Sequence, residues 1–251
     1  MWQSLELRTP IMSFCKQRRG RWLIFSVLLV LLIALCGTPR AAPHKPTRTI
    51  YLIRHGDYDD SARDNAHAAL TALGVAQVRL LAARLRFLPE APAEIVVSTM
   101  TRAKQTAAEI HSALPAVPER QTDLLRECTP PVPPDVKLPA SEQKDATACG
   151  HRLDQVFSTY FVPAPKSETD ILVCHGNVIR YLIARAIGMN PELWIRFSIG
   201  HTSISEVQVR TDGTMRVISV GDVGHLPSNL QSGTVANAGL PLEPVFINQT
   251  H

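Results

Sequence analysis

The sequence has no Gly-x-Gly-x-x-Gly turn and no Walker pattern, which leaves dinucleotide and P-loop chemistry without their usual phosphate cradle. No serine sits in a Gly-x-Ser-x-Gly elbow and no His-x-x-x-His pair occurs, so a serine-hydrolase triad and a helical zinc site also lack their ordinary setting. Cysteine is scarce, five in 251 residues, and Cys15 and Cys36 belong to the N-terminal segment. The other three, Cys128, Cys149 and Cys174, are odd in number and have no metal-ligand spacing, which excludes a dense disulfide framework. Cys128 and Cys149 either bridge a loop in an oxidising compartment or are free small residues. A basic face is missing too. The formal net charge is +4, but residues 1–42 hold six Lys/Arg and one acidic residue, leaving 20 basic and 21 acidic in the remainder. A nearly neutral domain carries no nucleic-acid footprint.

Long apolar runs are also rare. One stands out: Trp22 to Cys36, preceded by Lys16-Gln17-Arg18-Arg19-Gly20-Arg21. After the basic segment 1–21, residues 22–38 read either as an uncleaved membrane anchor or as the core of a cleaved signal peptide. Residues 39–48 then form a linker. The basic flank predicts a cytoplasmic N-terminus and a domain across the membrane, in a bacterial periplasm or a mitochondrial intermembrane space. Cleavage would instead leave a secreted or periplasmic protein. Asn248-Gln249-Thr250 formally matches a glycosylation acceptor.

What remains, residues 49–227, is enough for one well-filled core, followed by a tail over 228–251. Thr49 to Ile53 reads as a buried strand that stops at Arg54-His55-Gly56. Val75, Val78, Leu81, Ala82 and Leu85 make the inner stripe of a helix closed by Pro89 and Pro92. Glu94 to Ser98 is a second strand, and the helix after it carries Arg102 in its first turn, with Thr99 or Thr101 as its cap. A cation there opposes the helix dipole, and a bound anion would explain it. Leu124-Leu125-Arg126-Glu127 runs into a stiff segment with Pro130, Pro131, Pro133 and Pro134, and Pro139 to Gly150 reads as an irregular lid or surface loop. Arg152 to Phe161 is helical by pattern. Ile171 to Cys174 is a third strand, ending in His175-Gly176-Asn177 before a helix over 178–187. Thr202 to Arg210, Asp212-Gly213 and Met215 to Val220 form a hairpin. From Pro227 the chain reads as a loosely packed tail. Strand–helix units followed by a hairpin predict an α/β fold, a three-layer α/β/α sandwich.

Two strands that each end in His-Gly are the chemical signal, because ligands collect at the carboxyl ends of strands in such folds. The candidates are His55, His175, Arg54, Arg102 and Glu127. Two arginines would repel a metal cation. Phosphoryl chemistry uses all five: a neutral imidazole as nucleophile, arginines and a second histidine on the nonbridging oxygens, and a carboxyl group to move the proton.

These residues carry a family resemblance. Leu52-Ile53-Arg54-His55-Gly56, Ser98 to Ala107 around Arg102, Leu124 to Glu127, and Val173 to Asn177 occur in the order of the histidine phosphatase superfamily, with the phosphoglycerate mutase-like fold. Arg54 to Tyr58, Asn177 to Tyr181 and Gly221 to Pro227 are most similar to its mitochondrial serine/threonine protein phosphatase group. The resemblance implies a mostly parallel sheet and metal-independent hydrolysis through phosphohistidine at His55. It implies a phosphoryl group held by Arg54, Arg102, His175 and Asn177, Glu127 as proton donor, and no cofactor. The implied partner is a phosphorylated protein; a sugar phosphate or cell-envelope phosphate is the alternative substrate, and a non-enzymatic phosphate-binding scaffold the alternative role.

Overall fold

The computed structural model describes residues 45–234. The apolar run 22–38, most of the linker, the end of the tail and the Asn248 acceptor lie outside the described residues. Among the described residues no helix is long and apolar enough to cross a membrane. In chain order the elements are β1 (Thr47–Arg54), α1 (Ala72–Leu85), β2 (Glu94–Ser98), α2 (Thr101–Ala113), β3 (Glu119–Thr122), α3 (Ala140–Tyr160), β4 (Glu168–Cys174), α4 (Gly176–Ala186), β5 (Ile204–Arg210) and β6 (Met215–Asp222). Short 3-10 turns occupy Asp123–Leu125, Pro191–Arg196 and Ser228–Leu230.

The six strands form one sheet in the order β3-β2-β4-β1-β5-β6. β3, β2, β4 and β1 are parallel, and β5 and β6 add the antiparallel hairpin at one edge. Successive residues of β1 serve opposite layers. Ile50 and Leu52 face a core built with Leu153, Val156, Val178, Ile179 and Leu182, whereas Tyr51 and Ile53 face Leu81, Leu85, Ala103 and Ile110. Burial of each isoleucine, leucine or valine among these stabilises the fold by about 1.5–3 kcal/mol, which is why the central strands are apolar on both sides.

The layering positions the site. β1 leads to β2 past β4 on one face, and β4 leads to β5 past β1 on the other. Their ends therefore diverge at a switch point, the place where α/β sheets leave a crevice. β1 and β4 pair in parallel register with Arg54 opposite Cys174, so the next residues, His55 and His175, emerge side by side. Ser98 closes β2 on the other side of β4. Gly56 permits the tight exit from β1: a Cβ there would lie 2.8 Å from the Gly74 carbonyl oxygen and 2.8 Å from Val78.

Four expectations change. Pro139 to Gly150 is not an irregular loop but the first half of α3, which runs to Tyr160. Its polarity disguised it: among its first eleven residues only Ala146, Cys149 and Gly150 are buried, so the remainder face water as a solvated helix side. Neither Thr99 nor Thr101 caps α2; Met100 holds that position, and the Thr99 hydroxyl donates to Asp123 at 2.5 Å. β3 was not anticipated, because Glu119-Arg120-Gln121-Thr122 is a polar edge strand without an apolar signal. The tail after Pro227 is anchored as far as it is described: Leu230 accepts from Gln77 at 2.7 Å and Ser232 accepts from the His201 N–H at 3.0 Å. Of the two readings of the cysteines, the bridge is the one present. Cys128 and Cys149 are joined, tying the proline-rich loop to α3, while Cys174 is free and buried.

Candidate active site

His55 is buried at the end of β1. Its Nδ1 lies 2.7 Å from the Gly56 carbonyl oxygen, which can only accept, so the proton resides on Nδ1 and Nε2 keeps its lone pair. The Arg102 Nε–H donates to that Nε2 at 3.1 Å. Burial first, then His175, Arg54, Arg102 and His201, hold the His55 pKa well below its ordinary 6.5. The imidazole is therefore neutral near neutral pH, as a nucleophile must be.

Arg102 is itself fixed on several sides. Nη1 donates to the Asn65 carbonyl at 2.7 Å and to its side-chain oxygen at 2.9 Å, and the guanidinium lies 4.5 Å from the Tyr58 ring centroid. Asn65 and Tyr58, on the loop after β1, thus hold Arg102 against the site. Arg54 points the same way from the strand itself. Its Nη1 donates to Ile199 at 2.5 Å and Gly233 at 2.9 Å, while its buried Nε has no hydrogen-bond partner among the described residues. A Cβ on Gly233 would come within 2.8 Å of that Nη1, so the anchored tail passes directly over the arginine.

His175 is fully buried, with its ring centroid 5.0 Å from that of His55. Its Nε2 lies 2.8 Å from the Ser98 hydroxyl and its Nδ1 is unpartnered among the described residues. Glu127 follows the Asp123–Leu125 turn. Burial raises its pKa above the ordinary glutamate value, against the lowering fields of Arg54, Arg180 and Arg102, which favours a carboxyl able to hold a proton. Asn177 is close by, but its carboxamide is largely committed. It donates to the Cys128 carbonyl at 3.0 Å and accepts from Arg180, pinning the residue after Glu127 to α4. Trp194 does the same for the proline run, donating its Nε1–H to Pro131 at 2.9 Å under the Arg180 guanidinium.

One residue of this chamber escaped sequence reasoning. His201, buried, has its ring centroid 5.4 Å from that of His55. Its Nδ1 is 2.9 Å from Ser232 Oγ and 3.4 Å from Asp57 Oδ1. Gln77 donates to Ser232 Oγ at 2.9 Å, and the serine donates onward to Asp57 at 3.1 Å. The serine hydrogen is spent on Asp57, so Nδ1–H donates to Ser232 and the His201 Nε2 carries a bare lone pair. Burial, then Arg54 and Arg102, lower its pKa to about 2. The next residue, Thr202, adopts φ 55°, a strained backbone for a β-branched side chain, and its N–H donates to the His55 carbonyl at 3.2 Å. No motif announces His201; a lone histidine before a strand has no signal beyond its position.

Among the described residues, no group of three or more His, Cys, Asp or Glu is placed to hold a metal. The arrangement instead offers a bare imidazole nitrogen, two converging guanidinium groups, a second imidazole and a carboxyl with a raised pKa. That set defines a phosphatase whose nucleophile is a histidine.

The chain belongs to the histidine phosphatase superfamily, branch 1, whose family description matches residues 50–131 and 130–222. It is 38% identical over 197 residues to the mitochondrial serine/threonine-protein phosphatase PGAM5 of Xenopus laevis, covering 76% of this chain and 72% of that one. The Homo sapiens PGAM5 is 38% identical over 188 residues, covering 73% and 65%. In three dimensions the chain resembles a phosphoglycerate mutase from Plasmodium falciparum, with a TM-score of 0.52, 25% identity and coverage of 73% and 96%. Bacillus stearothermophilus YhfR shares the fold at TM-score 0.54 and 23% identity, covering 71% and 98%. The protein is thus an enzyme that hydrolyses phosphomonoesters by the histidine mechanism.

Proposed function

We propose that this phosphatase acts on phosphoserine and phosphothreonine in proteins, with His55 as nucleophile and Glu127 as acid and then base. The observation that carries the assignment of roles is the contact between the Arg102 Nε–H and the bare Nε2 of His55 at 3.1 Å. In the free enzyme this contact keeps the nitrogen unprotonated. An arriving phosphoryl oxygen takes over the N–H as acceptor and releases the lone pair for attack. Nε2 bonds to phosphorus while the ester P–O bond breaks, and Glu127 gives its proton to the departing serine or threonine oxygen. Arg54, Arg102 and His175 hold the nonbridging oxygens, where negative charge accumulates. Water then attacks the phosphohistidine, Glu127 takes its proton, the N–P bond breaks, and phosphate leaves with Nε2 restored. Asn177 serves chiefly by fixing the Glu127–Cys128 segment, with one amide N–H left for the phosphoryl group.

The protein substrate is supported by the 38% identity to PGAM5, whose name states that specificity. The test is a phosphopeptide assay in excess chelator, with acid-labile phosphoenzyme trapped during turnover. Phosphate release and a trapped intermediate in the native protein, both lost in His55→Ala, are expected. Retention of either in the substituted protein would remove His55 from its role.

The apolar run 22–38 and its basic flank support a membrane tether that places this domain on the far side from the cytoplasm. The named relatives are mitochondrial, which fits an intermembrane-space location. Protease added on the cytoplasmic side of intact membranes leaves the domain whole in this reading; digestion would reverse the orientation.

A further inference from the structure

Two more guanidinium groups stand on the rim of the chamber and take no part in the chemistry above. Arg126 immediately precedes Glu127, and its Nη1 lies 3.4 Å from Thr99 Oγ1, in the turn between β2 and α2. That turn is part of the site. Ser98, which ends β2 just before it, meets His175 at 2.8 Å, and the turn's Met100 sulfur accepts the Glu127 N–H at 3.3 Å and lies 3.8 Å from Arg102 Nη2. Arg126 therefore follows the same edge of the chamber as Arg102. Arg152 reaches in from α3, donating Nη2 to the Arg126 carbonyl at 2.7 Å. Its Nε is buried and has no hydrogen-bond partner among the described residues. Both groups are close enough for their fields to lower the pKa of His175.

Charge makes the case. Arg54 and Arg102 face the phosphoryl group, and a doubly charged phosphate balances them. Arg180 is committed to Asn177, to the Gly176 and Phe197 carbonyls and to the Trp194 ring. Arg126 and Arg152 remain, and the one acidic group at their centre, Glu127, has its pKa raised and in the free enzyme holds the proton it later donates, so it does not neutralise them. Asp123 lies 3.7 Å from Arg126, but its side chain is 76% exposed and already accepts the Thr99 hydroxyl. A solvated pair of that kind is worth little. The Arg126 side chain is 37% exposed, so it is open to a ligand from outside.

We propose that Arg126 and Arg152 form a second anion-binding subsite that takes an acidic side chain flanking the phosphorylated serine or threonine. The guanidinium fork suits a carboxylate, and Arg126 stands one residue from the proposed proton donor, beside the departing oxygen and the chain that carries it. The inference rests on the phosphoprotein reading above.

The test compares kcat/KM of the full chain and of Arg126→Gln on phosphoserine peptides flanked by Asp, by Asn or by a second phosphoserine. 4-Nitrophenyl phosphate serves as a substrate with no flank. The native enzyme is expected to prefer the Asp peptide over the Asn peptide by about fivefold, through KM, as for one partly exposed ion pair. Arg126→Gln is expected to lose that ratio, and Arg126→Glu to invert it toward a Lys-flanked peptide. Inversion cannot arise from misfolding. Equal efficiencies for Asp and Asn in the native enzyme overturn the subsite and leave the phosphoprotein reading standing. Preference for the doubly phosphorylated peptide alone also overturns the carboxylate assignment. Turnover of 4-nitrophenyl phosphate with no peptide dephosphorylated overturns the phosphoprotein reading, and this inference with it.

Discussion

The two halves of the site are held by different means. His55 and His175 stand on adjacent parallel strands whose register places Arg54 opposite Cys174, so their spacing follows from backbone hydrogen bonds in the middle of the sheet. Glu127, Arg126, His201 and the residues after Leu230 stand on connections. They are located by a disulfide, by the Trp194–Pro131 bond and by the Asp57–Ser232–His201 network. The phosphorus-facing half is thus insulated from changes at the surface. The half that handles the leaving group and its carrier can vary without moving the nucleophile. Proteins commonly place recognition on loops over a rigid scaffold for this reason.

Changes in the sheet half should be the most severe. His55→Ala is expected to lower kcat by at least about a thousandfold, since removing a nucleophile leaves only residual catalysis by the surrounding groups. A loss under tenfold in steady-state assays would break the comparison. Glu127→Gln comes next, with a fall in kcat of about a hundredfold or more on an alkyl phosphate. The fall should be much smaller on an aryl phosphate, whose departing oxygen needs no proton; equal losses on both would deny Glu127 its role.

Packing around the nucleophile should respond more strongly in kcat than the loop clamp, whose loss shows first in stability and KM. Gly56→Ala puts a methyl group against the Gly74 carbonyl at 2.8 Å, and overpacking of this kind costs roughly 1–3 kcal/mol. Because it shifts the residue after His55, kcat should drop along with the urea midpoint. Cys128→Ser opens a bridge with a sequence separation of 21 and is expected to destabilise the protein by roughly 2–4 kcal/mol. Its signature differs: in protein that remains folded, KM should rise on peptide substrates more than on 4-nitrophenyl phosphate. A uniform fall in kcat would show that the clamp supports the nucleophile after all.

The smallest effect is on pH. His55, His175, His201 and His225 all have folded-state pKa values below the ordinary 6.5, with burial the first cause in each. The unfolded chain therefore binds more protons below about pH 6.5, and their contribution, complete above that value, is lost as pH falls through it. Glu127 and Asp170, raised by burial, act in the opposite sense, two groups against four. The urea midpoint should therefore fall between pH 7.5 and 5.5. A midpoint that holds or rises would mean that water reaches these imidazoles in both halves.

Much of this is legible in the amino-acid sequence. The runs Ile50–Ile53, Ile95–Val97 and Ile171–Cys174 have the apolar character of strands buried on both faces, and they recur as β1, β2 and β4. Arg54, His55, Arg102, Glu127 and His175 were recognisable because each sits at an element boundary, where a polar residue after an apolar run stands out. The opposite situation hid α3: its first half is polar because it faces water, and periodicity is silent where little is buried. His201 was hidden for a further reason, since its importance lies in facing His55 from a loop nearly 150 positions along the chain.

The order of residues by itself determined every strand but the polar edge strand β3, most of the helices and the types of side chain available for phosphoryl transfer, because these depend on local backbone preference and on which positions must avoid water. Which strand lies beside which is another matter. That β4 inserts between β1 and β2, and that Cys128 reaches Cys149, depends on how two apolar faces are covered at once, a condition on the whole chain. Only that global solution brings His55, His175 and His201 around one space and leaves Arg126 and Arg152 at its rim.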